Sequence, residues 1–214
     1  MKLHRIPVGA FATNCVLLED ETSGEALVID PGGDGETIAR RIEAHGVRPI
    51  MIIHTHGHMD HCMESSALAR RFRVPIAMHA ADLPLYRQLA LQVEALLGPQ
   101  AAQGMKGLDV VEPQILLADG DKVRAGAIEA TVMHLPGHSP GGIGLLLAGT
   151  PGILVCGDTI FRDGVGRTDL WGGDWDVLLR SIRERIFTLP ADTRLVTGHG
   201  AETTVARESG NFPY

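Results

Sequence analysis

The eight residues His54-Thr55-His56-Gly57-His58-Met59-Asp60-His61 put four imidazoles and a carboxylate on one short segment. Neither a packed core nor a solvated face calls for such a run, because clustered histidines repel one another when protonated and bury little apolar area. A metal site is the economical reading. Pro49-Ile50-Met51-Ile52-Ile53 ahead of it suits a buried strand, and Met63 to Phe72 behind it reads as a helix, so the segment forms a strand-to-helix loop. On that loop His56 and His58 can point together from extended backbone, while Asp60 and His61 fall near the positive end of the following helix. One tetrahedral ion cannot easily use four adjacent side chains of one tight loop. Two divalent ions are therefore expected, with further ligands from elsewhere in the chain. The donors are His and Asp without paired cysteines, which favours a catalytic over a structural metal.

Working outward, 214 residues with 44% hydrophobic content can bury one sizeable core, and a single domain over residues 1–214 is expected. The net charge is −7 and no Lys/Arg run forms a basic stripe, which disfavours a nucleic-acid partner. Met1 to Pro7 has no apolar core of signal-peptide length and no later run reaches a membrane span, so a cytoplasmic protein without a membrane partner is expected. Cys15, Cys62 and Cys156 are odd in number and lack paired spacing, which fits a reducing compartment. Cys62 and Cys156 read as small packing residues.

Leu3 to Pro7, Cys15 to Leu18 and Ala26 to Ile29 read as strands of an opening antiparallel meander, broken by Asp30-Pro31-Gly32-Gly33-Asp34. Asp30 is read as a cap of that turn, the alternative being that it points into the cleft with the histidine loop. A surface helix over Glu36 to His45 stops at Gly46. Val74 to Met78 is a further strand, followed by His79, which reads as a rim residue. A helix from Leu83 to Leu97, with Asp82 as its cap, ends at Gly98-Pro99. That helix and the loop Gln100 to Met105 form either one wall of a substrate cleft or a simple packing layer.

Strands return at Ile115 to Leu117, Lys122 to Arg124 and Ile128 to Met133, with Asp119-Gly120 as a hairpin turn. They lead to His134-Leu135-Pro136-Gly137-His138-Ser139-Pro140, where restricted backbone mounts His138 rigidly enough to be the third ligand beside His56 and His58. The strand Ile153 to Cys156 delivers Gly157-Asp158-Thr159, and Asp158 can place one oxygen on each of two ions or else cap the next turn. A helix from Trp175 to Phe187, capped by Asp174, precedes a last strand at Arg194 to Val196 that ends in Thr197-Gly198-His199-Gly200. Four strand-end loops thus carry metal-type residues. His54 is left as a neighbour of the ligands or a core group.

Thr55 to His61, Pro136-Gly137-His138, Gly157-Asp158-Thr159 and Gly198-His199-Gly200, in that order, resemble the metallo-β-lactamase-fold hydrolases over almost the whole chain. Thr13-Asn14-Cys15, Ile29-Asp30-Pro31-Gly32, Gly166-Arg167-Thr168-Asp169 and Asn211-Phe212-Pro213 are similar to the single-domain branch of the glyoxalase II group. The resemblance implies an α/β fold, an αββα sandwich with the metals at the edge between two sheets. It implies one ion on His56, His58 and His138, a second on Asp60, His61 and His199, and Asp158 shared between them. Zinc is the leading expectation, with iron or manganese as alternatives.

The implied reaction is hydrolysis of a small-molecule thioester of the S-lactoylglutathione type; by position, Asp60 beside the water is the candidate acceptor of the nucleophile's proton, and Arg167, after a Gly-rich loop just beyond Asp158, the candidate contact for an anionic substrate group. For Arg167 a structural salt bridge is the other reading. Only the stretch to Tyr214 follows His199, so the helical C-terminal glutathione-binding domain of two-domain glyoxalase II enzymes is not expected. Asp169 and Ala201 replace aromatic residues of the glutathione-binding forms. Some β-lactamases of this fold place a cysteine where Asp158 stands, which argues against antibiotic hydrolysis as the main activity. An iron-dependent persulfide dioxygenase with a single iron on two histidines and an aspartate, a hydrolase of another ester or lactone, and a non-catalytic metal-binding module are the alternatives.

Overall fold

The computed structural model describes residues 1–103 and 110–213. Strands β1 (Lys2–Val8), β2 (Thr13–Glu19) and β3 (Glu25–Ile29) form the expected antiparallel meander. Helix α1 (Gly35–His45) buries Ile38, Ala39 and Ile42 and ends at Gly46, whose φ of 66° provides the left-handed cap. Strand β4 (Arg48–Ile53) then adds parallel to β3. Helices α2 (Met59–Cys62) and α3 (Ser65–Phe72) lead to β5 (Ile76–His79). Helices α4 (Leu83–Tyr86), α5 (Leu89–Leu97) and α6 (Pro99–Gln103) lead to β6 (Ile115–Leu117), and these strands continue the sheet in parallel.

The second sheet is built from β7 (Lys122–Ala125), β8 (Ile128–His134), β9 (Ile143–Leu147) and β10 (Ile153–Gly157). A small hairpin, β11 (Ile160–Phe161) and β12 (Gly164–Val165), and helix α7 (Trp175–Ser181) follow. The sheet closes with β13 (Arg194–Thr197) parallel to β10 and the short β14 (Thr203–Thr204), after which comes α8 (Val205–Asn211).

Side-chain parity in the strands decides the layers. Val16, Leu18, Leu27, Ile29 and Ile53 of the first sheet meet Ala130, Val132, Leu145, Val155 and Val196 of the second in one buried core between the sheets. The alternate residues Leu17, Val28 and Ile52 face outward against Ile38 and Ile42 of α1 and Leu68 of α3. Leu154, Cys156 and Leu195 face Leu178 of α7 and Val205 of α8. Each sheet is therefore apolar on both faces, and the architecture is an αββα sandwich, as expected. No helix among the described residues is long and apolar enough to cross a membrane.

Three helical expectations need correction at their boundaries. The run Leu83 to Leu97 breaks at Arg87-Gln88 into two pieces; Leu85 and Leu89 are buried on one each, and Leu97 is exposed. The helix expected from Met63 begins as α2 at Met59 and restarts at Ser65. The helix from Trp175 ends in a π-helical turn, Ile182–Ile186, that keeps Ile182 and Ile186 in the core. Gly104 and Met105 of the expected cleft wall lie outside the described residues.

Candidate metal centre

The loops after β4, β8, β10 and β13 are stitched to one another by backbone hydrogen bonds, Ile143 N–H to Thr55 O at 2.7 Å and Gly198 N–H to Gly157 O at 2.8 Å. Their side chains converge. His138 Nε2 lies 2.9 Å from His58 Nδ1 and 3.2 Å from His56 Nε2, so three ring nitrogens aim at one point. A second set forms beside it: Asp60 Oδ2 is 3.2 Å from His199 Nε2 and 3.5 Å from His61 Nε2. Asp158 lies between them, with Oδ1 at 3.3 Å from His61 Nε2 and Oδ2 at 3.3 Å from His199 Nε2 and 3.7 Å from His138 Nε2. Donor atoms of His56/His58/His138, of Asp60/His61/His199 and of His56/His61/Asp158 each fall within 4.8 Å of one another.

The outward nitrogens of four rings face partners that orient them. His138 Nδ1 faces Arg167 O at 2.7 Å, His199 Nδ1 faces Phe11 O at 3.0 Å, His61 Nδ1 faces Asp30 Oδ2 at 2.9 Å, and His56 Nδ1 faces Thr55 Oγ1 at 3.1 Å. A carbonyl or carboxylate can only accept, so Nδ1 of His138, His199 and His61 carries the proton whenever those rings are neutral, and their lone pairs then sit on the converging Nε2 atoms.

Electrostatics sharpen the arrangement. Burial, then the neighbouring rings of His61, His138 and His58, hold His56 well below the ordinary histidine value, and burial with His138 and His61 brings His58 down to about 3. Both are neutral and ligand-competent. Against the burial that opposes it, His61 is raised well above the usual value by Asp158, Asp60 and Asp30. His199 is likewise raised against burial, to about 10, by its hydrogen bonds to Asp158 and Asp60. Asp60 is brought down to about 2 by His61 and His199 in spite of burial, and Asp158 falls well below the carboxylate range for the same reasons.

Two observations test whether divalent cations fit. His58 Nε2, His61 Nε2 and Asp158 Oδ1 are buried without a hydrogen bond, the last two facing each other at 3.3 Å as an ion pair alone, a cost that polar groups in an interior do not normally carry. Space beside a donor is also reserved: a Cβ on Gly198 would lie 1.9 Å from Asp158 Oδ1. Imidazoles that are neutral or can yield their proton to a cation, beside ionised carboxylates, are what hard-to-borderline divalent ions accept. The residues fit the group.

All seven metal-type residues named from the sequence come together here. Arg167 does not bring its side chain: the guanidinium grips Asp169 through two bonds of 2.7 Å, and only its carbonyl reaches His138. Three further side chains support these loops, and Asp30 takes the second of the two roles the sequence offers it, pointing in with the histidine loop. Asp30 is no turn cap; its carboxylate accepts from Thr55 N, from Thr55 Oγ1 and from His61. Asp82 makes no side-chain helix cap and instead accepts from Gly57 N, Ser139 Oγ and Gly141 N, tying the His56–His58 loop to the His138 loop. Asn14 donates to Thr197 O and Gly200 O and so clamps the His199 loop. The one cue was polarity inside apolar surroundings at strand ends.

A four-layer sandwich with a His/Asp metal-type cluster at the loop edge defines a metallo-hydrolase. The chain matches the metallo-beta-lactamase superfamily over residues 8–199 and belongs to it. It is 32% identical over 216 residues to the hydroxyacylglutathione hydrolase GloC of Haemophilus influenzae, covering 100% of this chain and 98% of that one. Among solved structures it resembles the B3 metallo-beta-lactamase BLEG-1, with a TM-score of 0.81 and 31% identity over 99% and 98% of the two chains. It resembles TTHA1623, crystallised in a di-iron-bound form, equally well, at a TM-score of 0.81 and 31% identity over 98% of each chain.

Proposed function

We propose that this chain is a dinuclear metal-dependent hydrolase that cleaves thioesters of the hydroxyacyl type. The observation that carries the reading is Asp158, one carboxylate reaching both histidine sets. His56, His58 and His138 would hold one divalent ion and Asp60, His61 and His199 the other, with Asp158 shared. When bound, such ions lower the pKa of water to roughly 7 and polarise a carbonyl. Zinc is the expected metal, and the same donors accept iron or manganese.

The chain's own part in the reaction follows from its contacts. Thr13 Oγ1 donates to Asp60 Oδ2 at 3.1 Å, and His61 and His199 sit on the same oxygen, which leaves Oδ1 to accept a proton from the attacking water. Asp60, brought down to about 2 by His61 and His199, is ionised at neutral pH. As the carbon–oxygen bond forms and the carbon–sulfur bond breaks, the sulfur departs as a thiolate and is protonated from solvent, so no dedicated general acid is required. Arg167, exposed at the rim, would meet an anionic substrate group by exchanging its Asp169 partner for it.

The Haemophilus influenzae relative supports the thioester reading by its name. The likeness to BLEG-1 makes a β-lactam the necessary comparison substrate. The test is elemental analysis coupled to turnover of S-lactoylglutathione and of a β-lactam, with His58→Ala as control. Two ions per chain, thioester cleavage and a loss of activity by several orders of magnitude in His58→Ala are expected. Unchanged turnover in that variant would overturn the site.

A second reading, a mononuclear iron persulfide dioxygenase, draws on the two-histidine, one-aspartate set His56/His61/Asp158. One iron per chain with oxygen uptake and no anaerobic thioester cleavage would select it.

A further inference from the structure

A recess of about 420 Å³ opens beside the metal cluster, within the range of small-ligand sites. Pro84, Leu85, Leu91, Ala95, Pro140 and Trp171 supply its apolar lining, and none of its lining residues carries a charge. Its wall is continuous with the metal loop. Gln92 donates to Gly57 O at 3.1 Å and accepts from Met59 N at 2.9 Å, and the Trp171 ring lies 6.3 Å from that of His58. The Gln92 amide is fully engaged, since its Nε2 also donates to Leu85 O. Leu91 and Trp171 remain 59% and 38% exposed, large apolar surfaces next to a polar reaction centre.

We propose that this recess holds an uncharged aliphatic group attached to the scissile thioester, in place of the carboxylates and ammonium of a glutathione arm. The inference rests on the thioesterase reading and narrows its substrate class. The group could belong to the acyl side or to the thiol, and its chemistry is the same in either case. Burial of each methylene in such a recess improves transition-state binding about threefold or somewhat more, until the space is full.

The test uses the full metal-loaded chain and two substrate series: thioesters of one short polar thiol from acetyl to octanoyl, and acetyl thioesters of thiols with alkyl arms of matching length. In one series kcat/KM is expected to climb about threefold per methylene and to exceed that for S-lactoylglutathione. Which series climbs assigns the acyl or the thiol side. Leu91→Glu, on an exposed helical face, should flatten that slope through KM and not kcat, and Ala95→Phe, which fills the recess, should shorten the optimal chain. Calorimetric binding of a non-hydrolysable octyl thioether, weakened at least tenfold by Leu91→Glu, gives a readout free of turnover. Flat series with acetyl thioesters still cleaved, or a clear preference for S-lactoylglutathione, overturns the recess assignment and leaves the hydrolase standing. Octyl thioether binding that depends on Leu91, with no thioester of either series cleaved, supports the apolar site and overturns the thioesterase reading alone.

Discussion

Asp30 occupies a left-handed backbone conformation, φ 52°, that an aspartate adopts more readily than most residues. From there its carboxylate reaches Thr55 N at 2.7 Å, Thr55 Oγ1 at 2.6 Å and His61 Nδ1 at 2.9 Å. The first two bonds fix the start of the metal loop; the third fixes which nitrogen of His61 faces inward. Asp30→Asn keeps the size but offers an amide that can present N–H to His61, which turns the ring or its tautomer. Outer hydrogen bonds of this kind typically change metal affinity by about 10–100-fold. The expected outcome is a loss of that order for one of two ions, with the other retained, measured by competition against a chelator. Equal affinities for wild type and variant would remove Asp30 from the centre.

Asp82 plays the corresponding part between elements. It follows β5, is fully buried, and receives Gly57 N at 2.8 Å, Ser139 Oγ at 2.7 Å and Gly141 N at 2.5 Å. These bonds hold together two loops from opposite sheets, and each loop supplies part of the three-histidine set. From the sequence, Asp82 ahead of Leu83-Pro84 reads as a helix cap, because local pattern cannot say that a short carboxylate will find its donors 25, 57 and 59 positions away. Long periodic elements such as α1 and β8 were legible, since parity and helical spacing are local properties. The two-residue strands of the β11–β12 hairpin and of β14 were not, since they carry no period. Asp82→Ala strands two buried N–H groups and a hydroxyl at about 1–3 kcal/mol each. A loss of roughly 3 kcal/mol or more is expected in urea unfolding, read as a lower midpoint at unchanged slope. A shift below about 0.5 kcal/mol would show that the loops hold themselves.

At the level of the whole molecule, the sandwich brings buried acids and bases to one edge, so the metal-free chain has a pH dependence that its surface charges alone would not produce. The seven converging residues were visible in the sequence as polar residues ending apolar strands. Their protonation was not, because it is set by contacts between loops. His199 is raised from 6.5 to about 10, and His61 is raised too. Groups raised on folding contribute stability that is complete below pH 6.5 and is lost as pH climbs toward 10. His58 and His54 are lowered by burial to about 3 and about 4, so the folded state loses stability on the other side, as pH falls below 6.5. The metal-free protein should be most stable near pH 6.5. On the proposed ligand set a divalent ion would take the place of the proton at His199, so loading should abolish the alkaline limb and release protons into a weakly buffered solution at pH 8. Chelator-treated and metal-loaded samples unfolded thermally between pH 6.5 and 10 would separate steadily, the first falling and the second level. A chelated sample that is equally stable across that interval would mean that His199 and the two aspartates are not gathered at one edge in solution.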